Sequence, residues 1–271
     1  MVTCSMTKDN IQRKTLSIRI STNGFCFCSY TPAQPDSLKY FTYTPDVERS
    51  LAANIQTAFE NCPLIRRDQE YDIKAIIETG EFTCIPAEYD NNGDYKQFFG
   101  CCFPKNGEYE IIANRLNAHG FTILFPVENS IYETIHKFGD VTLYTPASII
   151  MSYLNYKPIE KEQYMLAYLY NDYALILTMK NGKMGLSNIF KKEQMENTLF
   201  YLLSIWKEQG LSQTDDFLYL CGDKSIEELS VKTGQFIKNI KRINPNELFP
   251  ASLLNRIEGI PFDLQALILC E

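Results

Sequence analysis

The amino-acid sequence predicts an α/β protein of two lobes, each built on a mixed β-sheet. Two observations carry this. The order strand, strand, strand, helix, strand, helix runs from residue 16 to residue 154 and begins again at residue 165. Each pass opens on the same strand–turn–strand unit, LSIRISTNGFCFCSY at 16–30 and YMLAYLYNDYALILTM at 164–179. Leading strands joined by tight turns pair as an antiparallel meander, whereas a strand that follows a helix returns by a crossover and lies parallel. Two such sheets side by side bring both first-hairpin turns to one cleft. The polar, proline-containing stretch NYKPIEKE (155–162) separates the passes. The expected division is therefore an N-terminal lobe over 1–155, a linker over 156–162 and a C-terminal lobe over 163–271, each long enough for its own core.

In the first lobe, Leu16–Ile20 and Gly24–Tyr30 are strands around the turn Ser21-Thr22-Asn23-Gly24, and LKYFTYT (38–44) is a third. Thr44-Pro45 reads as an N-cap with proline at the first helical position, followed by the stripe Val47, Leu51, Ile55 and Phe59. DIKAIIET (72–79), EFTCIP (81–86), GEYEIIANRL (107–116) and FTILFP (121–126) are strands; Asp90–Asp94 is a turn, and FFGCCF suits a helix or a strand. Val127, Ile131, Ile135 and Phe138 form a helical stripe that Gly139 closes, before the strand VTLY (141–144) and a helix from Thr145-Pro146 through Leu154.

In the second lobe, MLAYLY (165–170), YALILTM (173–179) and MGLSNIF (184–190) are strands, the last two joined by Lys180-Asn181-Gly182-Lys183. A helix with Met195, Leu199, Leu202 and Trp206 on one face precedes the strand FLYLC (217–221). Ser225-Ile226-Glu227-Glu228 has the form of a capping box. A short strand around Phe236–Ile240, turns at Asn244-Pro245 and Gly259-Ile260-Pro261, and an apolar LQALILC complete the chain.

Charge and composition exclude several classes. A net charge of −7 sets the surface against nucleic acid and anionic membrane, and IKNIKR (237–242) is a solvated edge. The first fifteen residues are polar with no apolar signal region, and no apolar run approaches a membrane span, so a cytoplasmic protein is expected. Its nine cysteines, without a CxxC, then read as reduced thiols. Cys26 and Cys28 alternate onto one strand face, which suits small buried hydrophobes or a soft-metal or redox pair; Cys101 and Cys102 would point to opposite faces of a strand. His119 and His136 lack convergent partners and read as surface residues. Tyr153, Tyr156, Tyr164, Tyr168, Tyr170 and Tyr173 crowd the boundary between lobes, either as packing residues or as a partner-binding surface.

The duplicated order resembles the actin-like ATPase superfamily, whose two lobes are each ribonuclease-H-like. In pattern the chain is most similar to the PilM branch, and beside it to a bacterial family of similar length that carries only a domain-of-unknown-function label. The resemblance covers nearly the whole chain. It implies that each first hairpin should end a strand in aspartate, then a small residue, glycine, and threonine or serine, the carboxylate positioning Mg²⁺ and the glycine opening backbone N–H groups to phosphate. Here Arg19 stands at the aspartate position and Ser21 at the glycine, while Tyr168 and Tyr170 take those positions in the second lobe. The adenosine-side loop keeps one glycine, Gly222, followed by Asp223. A degenerate nucleotide cleft is therefore expected around Arg19, Ser21, Thr22, Asn23, Asp172, Gly222 and Asp223. The expected function is a non-catalytic actin-like scaffold or adaptor that binds a protein partner, without a cofactor and with homodimerisation open. The alternative is residual binding of ATP with Mg²⁺ by rearranged phosphate loops.

Overall fold

A computed structural model describes residues 13–269 apart from 33, 67, 93, 105–106, 157–158, 160, 244–256 and 258. The turn expected at Asn244-Pro245, the first twelve residues and part of the linker fall outside the described residues.

The first sheet has the order β3-β2-β1-β4-β8, made by β1 (Lys14–Ile20), β2 (Phe25–Thr31), β3 (Gln34–Tyr43), β4 (Tyr71–Ile77) and β8 (Val141–Tyr144). β1, β2 and β3 pair antiparallel; β4 lies parallel to both β1 and β8. The second sheet repeats this plan as β11-β10-β9-β12-β13, from β9 (Gln163–Tyr170), β10 (Tyr173–Lys180), β11 (Lys183–Lys191), β12 (Phe217–Gly222) and β13 (Asn239–Arg242). Its first two turns are sharp. Asn171 at φ 41°, and Asn181 at φ 51° with Gly182 at φ 72°, take the left-handed backbone that two-residue hairpins require. No helix among the described residues is long and apolar enough to cross a membrane.

The first lobe also carries an insertion that the repeat does not contain. β5 (Thr83–Pro86), β6 (Tyr109–Leu116) and β7 (Phe121–Glu128) form a separate antiparallel sheet, order β5-β7-β6, with α2 (Tyr95–Cys102) beside it. Phe99, Ile85 and Leu124 give it a small core of its own. FFGCCF is thus helical, and Cys101 and Cys102 are exposed helix residues rather than strand residues with opposed faces.

Local polar chemistry shifts several element starts. α1 (Leu51–Asn61) begins at the N-cap Ser50, not at Thr44, and Val47 is exposed. The cause is Asn54, whose buried amide bonds the backbone of Asp46, Arg49 and Ser50 and folds the preceding residues over the helix end. Strand pairing with Tyr109 and its neighbours carries β7 through Glu128, so α3 (Asn129–His136) starts later than its apolar stripe. Ser225 does not cap α6 (Ser225–Thr233); the Asp223 carboxylate does, accepting the Ser225 amide at 2.8 Å. The short strand near Phe236 begins only at Asn239.

β9 and β10 alternate between two cores. Met165, Ala167, Leu169, Ala174 and Ile176 face α5 (Met195–Glu208) and α6. Tyr164, Leu166, Tyr168, Leu175 and Leu177 join a core that continues through α4 (Pro146–Tyr156) into the first sheet. Of the six boundary tyrosines, Tyr153, Tyr164, Tyr168 and Tyr170 are buried there, which is the packing role. The apolar C-terminal stretch is helical as α7 (Phe262–Leu269) and packs on α4 and β1.

Gly222 ends β12 at φ 125°, and a Cβ on it would lie 1.9 Å from the Leu169 carbonyl oxygen. Gly222→Ala is expected to lower unfolding free energy in urea by about 3 kcal/mol or more, because neither strand backbone has room to retreat.

Candidate functional site

β1 alternates Leu16, Ile18 and Ile20 with Ser17, Arg19 and Ser21, so Arg19 shares the strand face opposite the first set. On that face lies α7. Arg19 is 4% exposed, and its Nε donates to both carboxylate oxygens of Asp263, at 3.0 and 2.8 Å. Its Nη2 donates to Glu78 Oε2 at 2.8 Å, just beyond β4. Glu78 Oε2 also accepts the Asn171 amide at 2.6 Å, from the β9–β10 turn of the other lobe. Below the guanidinium, Tyr170 holds its ring 5.8 Å away, stacked on Tyr168 at 4.7 Å. The Tyr168 hydroxyl accepts the Asp263 amide at 3.4 Å.

Three parts of the chain therefore meet on one buried cation. Burial alone would depress the Arg19 pKa, but Asp263, with Tyr168 and Glu78, outweighs it and holds the guanidinium above its ordinary value. Two carboxylates share one cation, which leaves an excess of negative charge. Burial pushes the Glu78 carboxyl up, Arg19 with the Asn171 amide offsets only part of that, and the Asp263 charge adds a smaller push in the same direction as burial.

Above this cluster lies a cavity of about 750 Å³ between the β1–β2 turn, the β6–β7 sheet with the start of α3, and the β9–β10 turn. Ser21, Thr22 and Asp172 line it, so both first-hairpin turns do face one cleft. Arg19, Asn23, Gly222 and Asp223 are not among its lining residues. Arg19 is engaged in its ion pairs, and Asn23 is an exposed turn residue. Ser21 is committed as well, its hydroxyl donating to Gly24 O at 2.8 Å and accepting the Gly24 amide at 3.2 Å. Asp223 is answered within its own lobe, by Lys192 Nζ at 2.8 Å and by Ser225. Gly222 is required by strand contact with Leu169.

Neither histidine enters the cleft: His119 meets the Met151 carbonyl at 3.1 Å and His136 that of Tyr132 at 2.8 Å, so both are half-buried rather than plain surface groups. Cys28 is buried with its thiol pKa pushed up, and Cys26 accepts the Tyr40 hydroxyl. Sequence reading missed Asp263, Glu78 and Asn171. The signal available was a lone acid inside the apolar PFDLQALIL and a lone base inside LSIRI, since charges in such runs are buried only when paired.

A family model described as "Protein of unknown function (DUF3822)" matches residues 4–240. The chain belongs to the DUF3822 family. A crystal structure of a Bacteroides thetaiotaomicron protein, described as having an actin-like ATPase fold and unknown function, is 26% identical with a TM-score of 0.82, over 98% of this chain and 100% of that one. The PilM–PilN type IV pilus biogenesis complex matches with a TM-score of 0.59 at 11% identity, over 96% and 98% of the chains. No curated protein matches. The DUF3822 chain thus has the actin-like ATPase fold, in which the duplicated sheets and the cleft between them fall into place.

That fold implies a magnesium–nucleotide, and the residues in this cleft do not fit one. The carboxylate expected at the end of β1 is an arginine bound to other acids. The cavity carries Glu78, Glu108, Glu128 and Asp172 but no lysine, arginine or histidine among its described lining residues, a poor setting for a polyphosphate. Among the described residues, no group of three histidine, cysteine or acidic side chains is placed to hold a metal ion.

Asp263→Ala leaves buried Arg19 with Glu78 as its carboxylate partner and is expected to cost about 3 kcal/mol in urea unfolding, while the triple variant Arg19→Met/Asp263→Leu/Glu78→Gln, which removes every charge of the cluster, recovers most of that loss. Glu78 gives a pH signature. Its raised pKa means that the folded chain holds this proton more tightly, so its stabilising contribution is full below the unfolded carboxyl value and is lost as pH rises through the folded one. The stability difference, wild type minus Glu78→Gln, should therefore shrink as pH rises above the ordinary carboxyl range, about pH 4.

Proposed function

We propose that this DUF3822 protein is a non-catalytic actin-like adaptor that binds a protein partner. The observation that carries the reading is the Arg19–Asp263–Glu78 cluster, which spends the charge at the end of β1 on the protein's own carboxylates. A group that positions metal or phosphate has to keep free valences for its ligand, and Arg19 directs its Nε to Asp263 and its Nη2 to Glu78. The other two loops are spent in the same way, Asn171 on Glu78 and Asp223 on Lys192. With the β1 end and the β9–β10 turn tied together through Glu78, the cleft offers a preformed surface rather than a site assembled around a nucleotide. The PilM–PilN complex supports the reading as a protein of this fold that works with a protein partner.

Thermal unfolding with and without millimolar Mg-ATP tests it. The midpoint is expected to stay within about 1 °C; a saturable rise of several degrees would sink the adaptor reading in favour of a nucleotide-binding one. Arg19→Asp, which restores the missing carboxylate, sets a third acid beside Asp263 and Glu78 and is expected to lower the midpoint without producing ATP hydrolysis. Recovered hydrolysis would contradict the account.

A further inference from the structure

We infer that the free edge of the second sheet, β11, pairs with an extended segment of the protein partner that carries acidic residues at both of its ends. This rests on the adaptor reading and names where the partner docks and what it brings. β11 ends the order β11-β10-β9-β12-β13, so it has a strand neighbour on one side only. Three bonds show how its backbone is directed. Leu186 donates its amide to Thr178 Oγ1 at 2.8 Å, and Lys192 donates to the Asp172 carbonyl at 2.6 Å, both on the β10 side. Amides alternate sides along a strand, so those of Ser187, Ile189 and Lys191 point to the open side. There the Ile189 amide meets only its neighbour's side chain, donating to Asn188 Oδ1 at 2.9 Å. A partner strand offers a carbonyl in that place.

Apolar walls flank this edge on both faces. On one, a groove of about 410 Å³ runs along Met184 and Ser187 and is bounded by Phe82, Phe103 and Phe121 of the inserted unit. On the other, Phe190 stacks on Tyr201 of α5 at 4.5 Å, and Phe200 beside it is 66% exposed. An added strand sends alternate side chains to opposite faces, so one set meets the groove and the other the aromatic pair. Charge then chooses the occupant. Lys183 at one end of β11, and Lys180 across the hairpin from it, are exposed and make no ion pair among the described residues. Lys191 at the other end is 67% exposed and has only Glu193, at 3.7 Å. Between the two end lysines MGLSNIF carries no charge. A second copy is disfavoured, because antiparallel pairing of β11 with itself about Ser187 sets Lys183 opposite the other copy's Lys191. A segment with acids opposite both lysines turns that repulsion into attraction.

Calorimetric titration of the full chain tests this with three capped peptides. They are Asp-Val-Thr-Val-Thr-Val-Glu, the same peptide N-methylated at every interior residue, which keeps the side chains and loses the ladder donors, and Lys-Val-Thr-Val-Thr-Val-Lys. The acidic peptide is expected to bind saturably, and at least about tenfold more tightly than either of the others. Lys183→Glu/Lys191→Glu should weaken it about tenfold or more. Lys39→Glu/Lys137→Glu, the same charge change on exposed residues of the first lobe, should not. At saturation, hydrogen exchange of the Ile189 and Lys191 amides should slow about tenfold or more. No saturable binding, equal affinity for the acidic peptide and either control, equal effects of the two double variants, or unchanged exchange at Ile189 and Lys191 overturns the proposal. The adaptor reading fails separately: Mg-ATP that stabilises the chain removes that reading and this docking with it, whereas contrary peptide results without a response to Mg-ATP remove the edge alone.

Discussion

Arg19 gives up nearly all of its water in the folded chain, and the carboxylates that replace it come from distant parts of the sequence. Asp263 lies 244 residues away and reaches β1 only because α7 docks on α4 and the first sheet. Glu78 arrives because β4 lies parallel beside β1, so that the ends of both strands meet. Leaving a guanidinium buried and unpaired costs far more than an ordinary lost contact, so the ion pairs tie three events together: docking of α7, the parallel pairing of β4, and the approach of the β9–β10 turn through Asn171. Gly80 shows how close that approach is, since a Cβ there would stand 2.6 Å from the Tyr173 ring.

The same cluster is what the proposed adaptor reading rests on. A nucleotide cleft needs loops whose backbone and carboxylates are unsatisfied until the ligand arrives. Here Arg19, Asn171 and Asp223 are already bonded within the chain, and the second loop adds the stacked and buried Tyr168 and Tyr170, whose hydroxyls burial pushes up in pKa. One core runs through α4 and α7 into both sheets, so moving one sheet against the other would expose tyrosine and leucine surface on both sides. What remains open is the cavity above, whose polarity comes from acids rather than from bases.

Much of the architecture was legible because the signals were local. Asn181-Gly182 between two apolar runs specifies a hairpin through its backbone preference alone. The errors were also local in origin. A capping-box pattern at Ser225 lost to an acid two residues upstream, and the Thr44-Pro45 signal lost to the buried amide of Asn54, which no spacing rule foresees. The inserted β5-β7-β6 sheet was read as three strands but not as a separate sheet, because pairing partners are not written in periodicity.

The sequence by itself determined the α/β class, the duplicated strand order and a lone arginine inside the apolar strand at position 19, since each depends on residues close together in the chain. Only the tertiary structure decided what Arg19 does instead. Its partners are fixed by a crossover and by the docking of a C-terminal helix, and a buried charge takes whichever acids the packing delivers. The same holds for the cavity: Glu108, Glu128 and Asp172 are ordinary surface acids in sequence, and they become one electrostatic surface only when an inserted sheet and the second lobe's turn close around the same space.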